Sequence, residues 1–199
     1  SVSAFLLNRS SDLRFNSFDY MTCQLMKYLS NNVIACFFTI PMSNNYYINC
    51  TVFDSENNLE IIKTSRTITS GINSFNNIKS AVMTIDGRQK ALVCGALNGT
   101  KLFCAGYDIT TNTFSEKIIN NINNYNINTG YLSVSYFRET EEFLVSFLNT
   151  YSSNYIYSIY SFDNEFKYSY FGSLGDLILG NSCSNCIPFK SASYNLHSI

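Results

Sequence analysis

The chain contains few of the residues that common catalytic and nucleic-acid-binding sites require. Its 199 residues include no Trp, 2 Pro and a single His, and 14% of them are charged. A Ser/His/Asp or Cys/His catalytic set would have to use His197, close to the end of the sequence. The 13 Lys and Arg are balanced by 14 Asp and Glu, and they form no basic cluster of the kind that binds phosphates. We therefore expect no nucleic-acid partner and no His-dependent catalysis.

The chain also lacks a long apolar run. The longest one, residues 33–42, is interrupted by Thr39 and Pro41, and it is shorter than the roughly 18 residues that cross a bilayer as a helix. Residues 1–20 have neither the basic leader nor the continuous apolar core of a signal peptide. We expect no membrane span in this segment, and we expect any secretory leader to have been removed or to lie outside it.

The most informative feature that is present is a repeat. Three segments alternate in polarity and end in an aromatic residue followed by Asp: YINCTVFD at residues 47–54, KLFCAGYD at 101–108 and IYSIYSFD at 156–163. The aligned residues Asp54, Asp108 and Asp163 are 54 and 55 positions apart. A period of this size indicates supersecondary units that stack side by side to bury their apolar faces.

Each unit is predicted to contain four short strands. Residue types that favour strands are frequent, with 16% aromatics, and clusters of Asn, Gly, Ser and Asp separate the apolar stretches. The predicted strands are residues 21–29, 33–40, 46–53 and 59–64 in the first unit, 80–85, 91–97, 101–107 and 113–119 in the second, and 131–137, 143–148, 155–162 and 166–171 in the third. The expected fold class is all-β, built from tandem four-stranded antiparallel sheets.

This arrangement resembles the β-propeller superfamily, in which each four-stranded repeat is one blade. The resemblance covers about residues 20–172 and depends on the period and the strand order, since neither a Trp-Asp pair nor the paired Gly of kelch repeats is present. It implies end strands of a preceding blade in residues 1–19, blades at 20–78, 79–129 and 130–173, and the start of a further blade or a Cys-containing tail at 174–199. The turns after the aligned Asp residues are similar in position to the Asp-box of sialidase-like propellers but lack its pattern. We interpret these Asp residues as turn formers.

Two interpretations of completeness stay open. Three full units fall short of the roughly four to eight blades that close a propeller, which favours a fragment of a larger propeller. The alternative is a compact four-bladed ring whose last blade is shared between the two ends of the chain. Such a ring would resemble the hemopexin-like arrangement.

Seven Cys residues predict disulfide bonds. Cys36 and Cys50 lie on the second and third predicted strands of the first unit, and Cys94 and Cys104 lie on the equivalent strands of the second. We predict the bridges Cys36–Cys50 and Cys94–Cys104, because a hairpin places the members of each pair on neighbouring strands. A zinc site is the competing interpretation, but it would need His or further Cys at ligand spacing.

Cys183 and Cys186 form a CxxC sequence beyond the repeats. Redox motifs of this spacing are followed by a helix, which the sequence does not predict here. We therefore favour structural bridging, with Cys23 or a Cys outside this stretch as a partner. An odd total leaves at least one thiol unpaired within the 199 residues.

Three Asn-X-Ser/Thr triplets begin at Asn8, Asn49 and Asn98 and are potential glycosylation sites. Asn98 lies at a predicted hairpin tip, where a glycan meets no obstacle. Asn49 points away from the Cys50 side of its strand, and this face must be open to solvent for a glycan to fit. Paired Cys and these acceptors together predict an extracellular or cell-surface location reached through the secretory pathway.

Tyrosines crowd the third unit and supply the candidate binding surface, Tyr151, Tyr155 and Tyr157. Between two stacked sheets these rings would be core. If the third unit ends an array, the same rings would form an exposed aromatic patch that suits a protein or carbohydrate partner.

We expect a non-enzymatic scaffold or binding module that recognises protein or glycan through its blade-end loops, with no cofactor and no metal. A first alternative is a structural subunit of a self-assembling extracellular filament or coat. A second is a propeller-type glycoside hydrolase, which needs paired carboxylates. The candidate carboxylates are Asp86, Glu139, Glu141, Glu142 and Asp176. Asp86 is interpreted as an ordinary turn residue, and Glu141 and Glu142 are interpreted as a solvated hairpin tip.

Overall fold

The structure of the chain is a computed structural model. It describes residues 20–42, 45–69, 75–85, 87–97, 101–115, 118–121, 127–149, 155–162, 168–170, 175–177, 188–190 and 196–198. Every regular element within these ranges is a β-strand, and every strand pairing is antiparallel. The predicted all-β class is confirmed.

The first sheet is a four-stranded meander in which each strand pairs with the next along the chain. Its strands are β1 (Met21–Tyr28), β2 (Asn31–Met42), β3 (Asn45–Asp54) and β4 (Ile61–Thr69). β1 and β2 are joined by a two-residue hairpin, since Tyr28 pairs directly with Asn31. The length of so tight a loop fixes the register of the whole pair.

The second and third sheets repeat this order but have an interrupted fourth strand. The second sheet contains β5 (Phe75–Ile85), β6 (Arg88–Leu97) and β7 (Lys101–Asp108), and the far edge of β7 pairs with both β8 (Thr113–Phe114) and β9 (Ile118–Asn121). The third contains β10 (Ile127–Phe137), β11 (Glu142–Asn149) and β12 (Tyr155–Phe162), and β12 pairs with both β13 (Tyr168–Tyr170) and β14 (Gly175–Leu177). A separate ribbon is formed by β15 (Pro188–Lys190) and β16 (Leu196–Ser198).

Two expectations about boundaries are corrected. The second sheet begins at Phe75 and the third at Ile127, a few residues earlier than the predicted limits of 79 and 130. Residues 174–199 were expected to begin a further blade or to form a Cys-containing tail, and within them the backbone of residues 175–177 pairs with β12 and belongs to the third sheet. The interruption between β13 and β14 hides this role in the sequence, because neither piece is long enough to show a strand pattern of its own.

The second sheet lies between the other two. β5 contacts β1 on one side and β10 on the other. One buried cluster joins the first and second sheets and includes Phe37 and Val52 with Phe103 and Tyr107. Another joins the second and third sheets, and its largest members from the third are Phe143 and Phe147. Each fully buried side chain of this size contributes about 1.5–3 kcal/mol.

Alternation along β7 shows why the second sheet is apolar on both faces. Phe103, Ala105 and Tyr107 pack toward the first sheet, and Leu102 and Cys104 pack toward the third. Successive side chains of a strand point to opposite faces, so a strand covered on both sides becomes a nearly continuous apolar run. We call the side of the first sheet that meets the second sheet its front face, and the opposite side its back face.

Candidate functional site

Two of the three aligned Asp residues, Asp54 and Asp108, each begin a turn of the same kind. An oxygen of Asp54 accepts hydrogen bonds from the backbone N–H groups of Glu56 at 2.8 Å and Asn57 at 3.2 Å. An oxygen of Asp108 accepts from the N–H groups of residues 110 and 111 at 2.7 and 3.4 Å. The predicted role as turn former is confirmed for both, and Asp163 lies outside the described residues. The Asn57 side-chain amide donates a further bond to the other Asp54 oxygen. Together these bonds lower the pKa of Asp54; the bond from the Glu56 N–H has the largest effect and that from the Asn57 side chain the next largest.

The equivalence of the two turns extends to their last residue. Asn58 and Asn112 both have left-handed backbone angles, with φ of 49° and 57°, a conformation that Asn tolerates better than most residues. Asn58 is exposed. Asn112 instead accepts a hydrogen bond from the Tyr107 hydroxyl at 2.8 Å and donates one to the Thr64 carbonyl oxygen on β4 at 2.8 Å. Asn112 therefore links the second sheet to the first.

Further polar contacts surround the apolar interface between these two sheets. The Lys63 ammonium donates to the Ile109 carbonyl oxygen at 3.0 Å and lies 3.4 Å from the centre of the Tyr28 ring. Near the other edge, the Gln24 amide donates to the Ser80 carbonyl oxygen at 2.7 Å. Polar groups at both edges with apolar rings between them fix the relative position of the sheets, because hydrogen bonds weaken steeply away from their preferred distances and angles.

The disulfides confirm one predicted pair and correct the other. Cys94 and Cys104 are bridged, with Cα atoms 4.2 Å apart. The predicted Cys36–Cys50 bridge is wrong, because Cys36 is bonded to Cys23 across β1 and β2 and Cys50 is a free, buried thiol. The register of β2 and β3 places Cys36 opposite residue 51 and Cys50 opposite residue 37. Since successive residues alternate between faces, Cys36 points to the back face and Cys50 to the front.

The free thiol of Cys50 is unsuited to nucleophilic chemistry. Burial raises its pKa to about 12, partly offset by a hydrogen bond with Tyr107. Burial also raises the pKa of Tyr107, and the neighbouring Cys50 adds to this effect. Both groups stay neutral at physiological pH, so this pair is part of the core.

The back face of the first sheet is arranged in cross-strand rows. The rows that run from β1 to β4 are Leu25, Ile34, Phe53 and Ile61; Cys23, Cys36, Thr51 and Thr64; and Met21, Phe38, Asn49 and Arg66. The buried cluster on this face consists of Cys36 and Phe53 with neighbours from the same sheet and its Asp54 turn. Within the described part of the chain, no residue of another sheet joins it.

The expectation of a glycan at Asn49 is not supported by the geometry. Asn49 is 6% exposed, and its side-chain oxygen accepts a hydrogen bond from the Arg66 guanidinium at 3.1 Å. Arg66 in turn lies 5.2 Å from the centre of the Tyr47 ring. A glycan requires a solvent-facing Asn, and here the side chain is enclosed by its neighbours on β3 and β4. Asn8 and Asn98 lie outside the described residues.

Exposed apolar side chains collect at one end of the first sheet. Leu25 is 67% exposed, Leu29 86%, Ile61 48% and Ile62 39%. The β1–β2 hairpin and the turn after Asp54 lie together at this end, joined by hydrogen bonds from residue 55 to the residue 32 carbonyl. We call this region, residues 25–32 and 54–62, the loop end of the first sheet.

Leu29 is the most unusual residue of the loop end. It occupies the first position of the two-residue hairpin with φ of 56°, where Asn or Gly is normally found. A left-handed conformation costs a bulky residue roughly 1–2 kcal/mol, and a Leu that is almost fully exposed recovers little of it by burial. Strained residues of this kind concentrate at functional sites.

Of the predicted tyrosine surface, the structure describes the backbones of Tyr155 and Tyr157. The backbone of Tyr155 pairs with Leu148 and Leu177, and that of Tyr157 pairs with Ser146 and Gly175. β12 is thus an inner strand of the third sheet. Tyr151, Cys183 and Cys186 lie outside the described residues.

The predicted carboxylates do not form a described pair. Glu139 and Glu141 are exposed in the β10–β11 turn, but Glu142 is 7% exposed, so the prediction of a solvated tip is wrong for this residue. It is the first residue of β11, and its side chain is buried. Asp176 lies on β14, which pairs with β12, and Asp86 is outside the described residues. Within the described ranges, no group of three His, Cys, Asp or Glu is placed to hold a metal ion.

Neither the Cys23–Cys36 bridge nor the Leu29 loop was predicted from the repeat. Both follow from one signal, the tight turn at residues 29–30. Assigning a two-residue hairpin there would have placed Cys23 opposite Cys36 directly. The absence of Gly, Asn or Asp at residue 29 concealed the turn.

Comparisons with known proteins identify no family. No protein-family model matches the chain, and no curated protein matches it. A search of the described residues for helices finds none with the length and apolarity to cross a bilayer. The two disulfides fit an oxidising environment.

Proposed function

We propose that this protein is a non-enzymatic extracellular or cell-surface scaffold, that its stacked sheets are blades of a β-propeller, and that it recognises a protein partner through the loop end of the first sheet. The observation that carries the proposal is the concentration of exposed Leu and Ile side chains at that end. Among residues with described side chains, all five exposed large hydrophobics belong to the first sheet or its loops, and four of them lie at the loop end.

The chemistry of the loop end favours protein over glycan. Sugars are bound by flat aromatic rings and hydrogen-bonding groups, whereas Leu25, Leu29 and Ile61 offer branched aliphatic surface that gains by burial against an apolar surface of a protein. Grouped exposed aliphatics mark an interaction site more often than isolated ones do. A Leu held at a hairpin tip despite its backbone strain fits an anchor residue.

The rest of the chain supplies rigidity. The Asn112 link, the Lys63 contact and the Phe37–Tyr107 edge-to-face pair, with ring centres 5.4 Å apart, connect the first sheet to the second. A preorganised surface loses little entropy on binding. The two disulfides connect β1 to β2 and β6 to β7, and they support an extracellular location.

Binding to a panel of purified extracellular domains and to a glycan array tests the proposal. Leu29→Asn keeps a residue suited to the left-handed turn and removes the apolar side chain. We expect protein ligands of the wild type to lose at least about tenfold in affinity with Leu29→Asn, the size of one lost anchor. Glu139→Asn, at an exposed turn of the third sheet, is the matched control and should bind normally.

Protein binding that is unchanged in Leu29→Asn, Leu25→Ser and Ile61→Ser would contradict the loop-end proposal. Binding to glycans alone would contradict the choice of partner. Circular dichroism of each variant checks that the sheets remain folded.

A second candidate, self-assembly into a filament or coat, is favoured by β4. This outer strand has nine uninterrupted residues, whereas the outer strands of the other sheets are split into pieces of two to four. Short edge strands discourage pairing with other chains, and long ones permit it. Sedimentation equilibrium separates the candidates, since self-assembly predicts association that Arg66→Pro and Ile68→Pro abolish.

A further inference from the structure

We propose that the Cys23–Cys36 disulfide is a redox-labile bond, opened by a dithiol reductant in the folded chain, while Cys94–Cys104 stays closed. The bond lies on the back face of the first sheet, next to the loop end. As regulation of that surface the proposal rests on the proposed function, but the lability itself does not.

The two bridges differ in access. Cys94 and Cys104 are both 0% exposed and lie in the interface between the second and third sheets. Cys23 is only partly buried, and Leu25, its neighbour on the same face of β1, is 67% exposed. Thiol–disulfide exchange requires direct approach of a thiolate to a sulfur atom. Of the four bonded Cys residues only Cys23 is partly exposed, so the proposed attack is on its sulfur.

A buried hydroxyl is placed to favour the reduced state. Thr51 lies directly opposite Cys36 on the back face and is 1% exposed. Its Oγ1 has no hydrogen-bond partner among the described groups. A thiolate is a far better acceptor than a disulfide sulfur, so the Thr51 hydroxyl can donate to Cys36 only after the bond opens. This hydrogen bond stabilises the negative charge on the leaving Cys36 sulfur and accelerates its departure.

The exchange proceeds in two balanced steps. A thiolate of the reductant attacks the Cys23 Sγ, the S–S bond breaks, and its electron pair goes to the Cys36 Sγ, which takes a proton. The second thiolate of the reductant then attacks its own sulfur in the mixed disulfide and releases Cys23, which is also protonated. The protein gains two electrons and two protons, and the reductant becomes a disulfide.

Opening the disulfide removes the covalent link that holds β1 to β2. This strand is an edge of the first sheet, and its remaining links are backbone pairing to β2 and side-chain bonds such as those of Thr22 and Gln24 to Ser80. Loss of the covalent link lets β1 separate from β2 more often. Leu25 and the Leu29 hairpin move with it, so reduction weakens the surface that they form.

Graded dithiothreitol without denaturant, followed by rapid alkylation and peptide mass spectrometry, tests the proposal. We expect Cys23 and Cys36 to be labelled at least tenfold faster than Cys94 and Cys104, and hydrogen exchange to increase in β1. Equal rates for the two bridges, faster labelling of Cys94 and Cys104, or no labelling without denaturant would overturn it.

Thr51 variants test the role of the hydroxyl. Thr51→Val should slow labelling of Cys36 several-fold and leave Cys94 unchanged, and Thr51→Ser should restore the wild-type rate. An unchanged rate in Thr51→Val overturns the hydroxyl mechanism. Because no partner is needed, these readouts are independent of whether the loop end binds protein.

Discussion

The first and second sheets present the same face of a repeat in two different environments. Phe53 and Tyr107 occupy equivalent positions immediately before the aligned Asp residues. Tyr107 is 0% exposed and packs on Phe37 of the first sheet. Phe53 faces a small cluster drawn from its own sheet, with Leu25 and Ile61 in the same cross-strand row 67% and 48% exposed. One repeat position thus serves as core in one sheet and borders a surface in the other.

The comparison shows that neighbours determine the role of an apolar row in a stacked sheet. Equivalent turns and registers do not decide whether the row is buried. The turns and the register set the position of the row, and the next sheet then buries the row or leaves its end residues exposed. This is why the same hydrophobic pattern is fully buried in the second sheet and ends in exposed apolar side chains in the first.

The largest expected contrast is between Phe37 and Leu25. Phe37→Ala removes a ring that is 0% exposed, and we expect the free energy of unfolding to fall by about 3–5 kcal/mol. Leu25→Ala, at the exposed loop end, should change it by less than about 0.5 kcal/mol. Urea unfolding followed by circular dichroism measures both. Similar losses in the two variants would contradict the difference between the buried interface and the loop end.

The two disulfides give the next contrast. They close short loops with sequence separations of 13 and 10, and the chain-entropy effect alone is about 3 kcal/mol for loops of this size. We expect Cys94→Ala with Cys104→Ala to cost more than Cys23→Ala with Cys36→Ala, because the buried pair also loses packing. Unfolding of both double variants in guanidinium measures the difference, and an inverted order would count against the burial of the second bridge.

Asn112 and Asn58 form a matched pair. Alanine at either position replaces an Asn that tolerates a left-handed backbone. Only Asn112→Ala also removes the acceptor of the Tyr107 hydroxyl and the donor to the Thr64 carbonyl oxygen. We expect Asn112→Ala to cost about 1–3 kcal/mol more than Asn58→Ala. Thermal unfolding at a fixed protein concentration tests this. Equal costs would mean that Asn112 does not link the sheets.

Asp54 predicts a small dependence on pH. Because its pKa is lowered in the folded chain, its contribution is present above the ordinary Asp pKa of about 3.9. That contribution is lost as pH falls through the lower, folded pKa. Urea midpoints between about pH 2 and 7 should therefore decline less steeply on the acid side for Asp54→Asn than for the wild type. Identical acid limbs would show that the turn does not favour the ionised carboxylate.

Much of the sheet order was predictable because a 54-residue period and alternating strands are local signals. The Asp54 and Asp108 turns and the Cys94–Cys104 bridge followed from the same alignment. The Cys36 partner was not predictable from the repeat, because a shift of one residue between β2 and β3 moves a side chain to the other face. Leu29 was hidden for a related reason, since it violates the residue preference of the turn that it forms.

Hydrogen exchange of the oxidised chain, read strand by strand, tests the central claim most directly. If both faces of the second sheet are buried against its neighbours and the exposed apolar residues of the first sheet collect at its loop end, amides of β6 and β7 will exchange more slowly than those of residues 25–32 and 54–62. Exchange in β6 and β7 as fast as in these loop-end residues would contradict the burial of the second sheet between its neighbours.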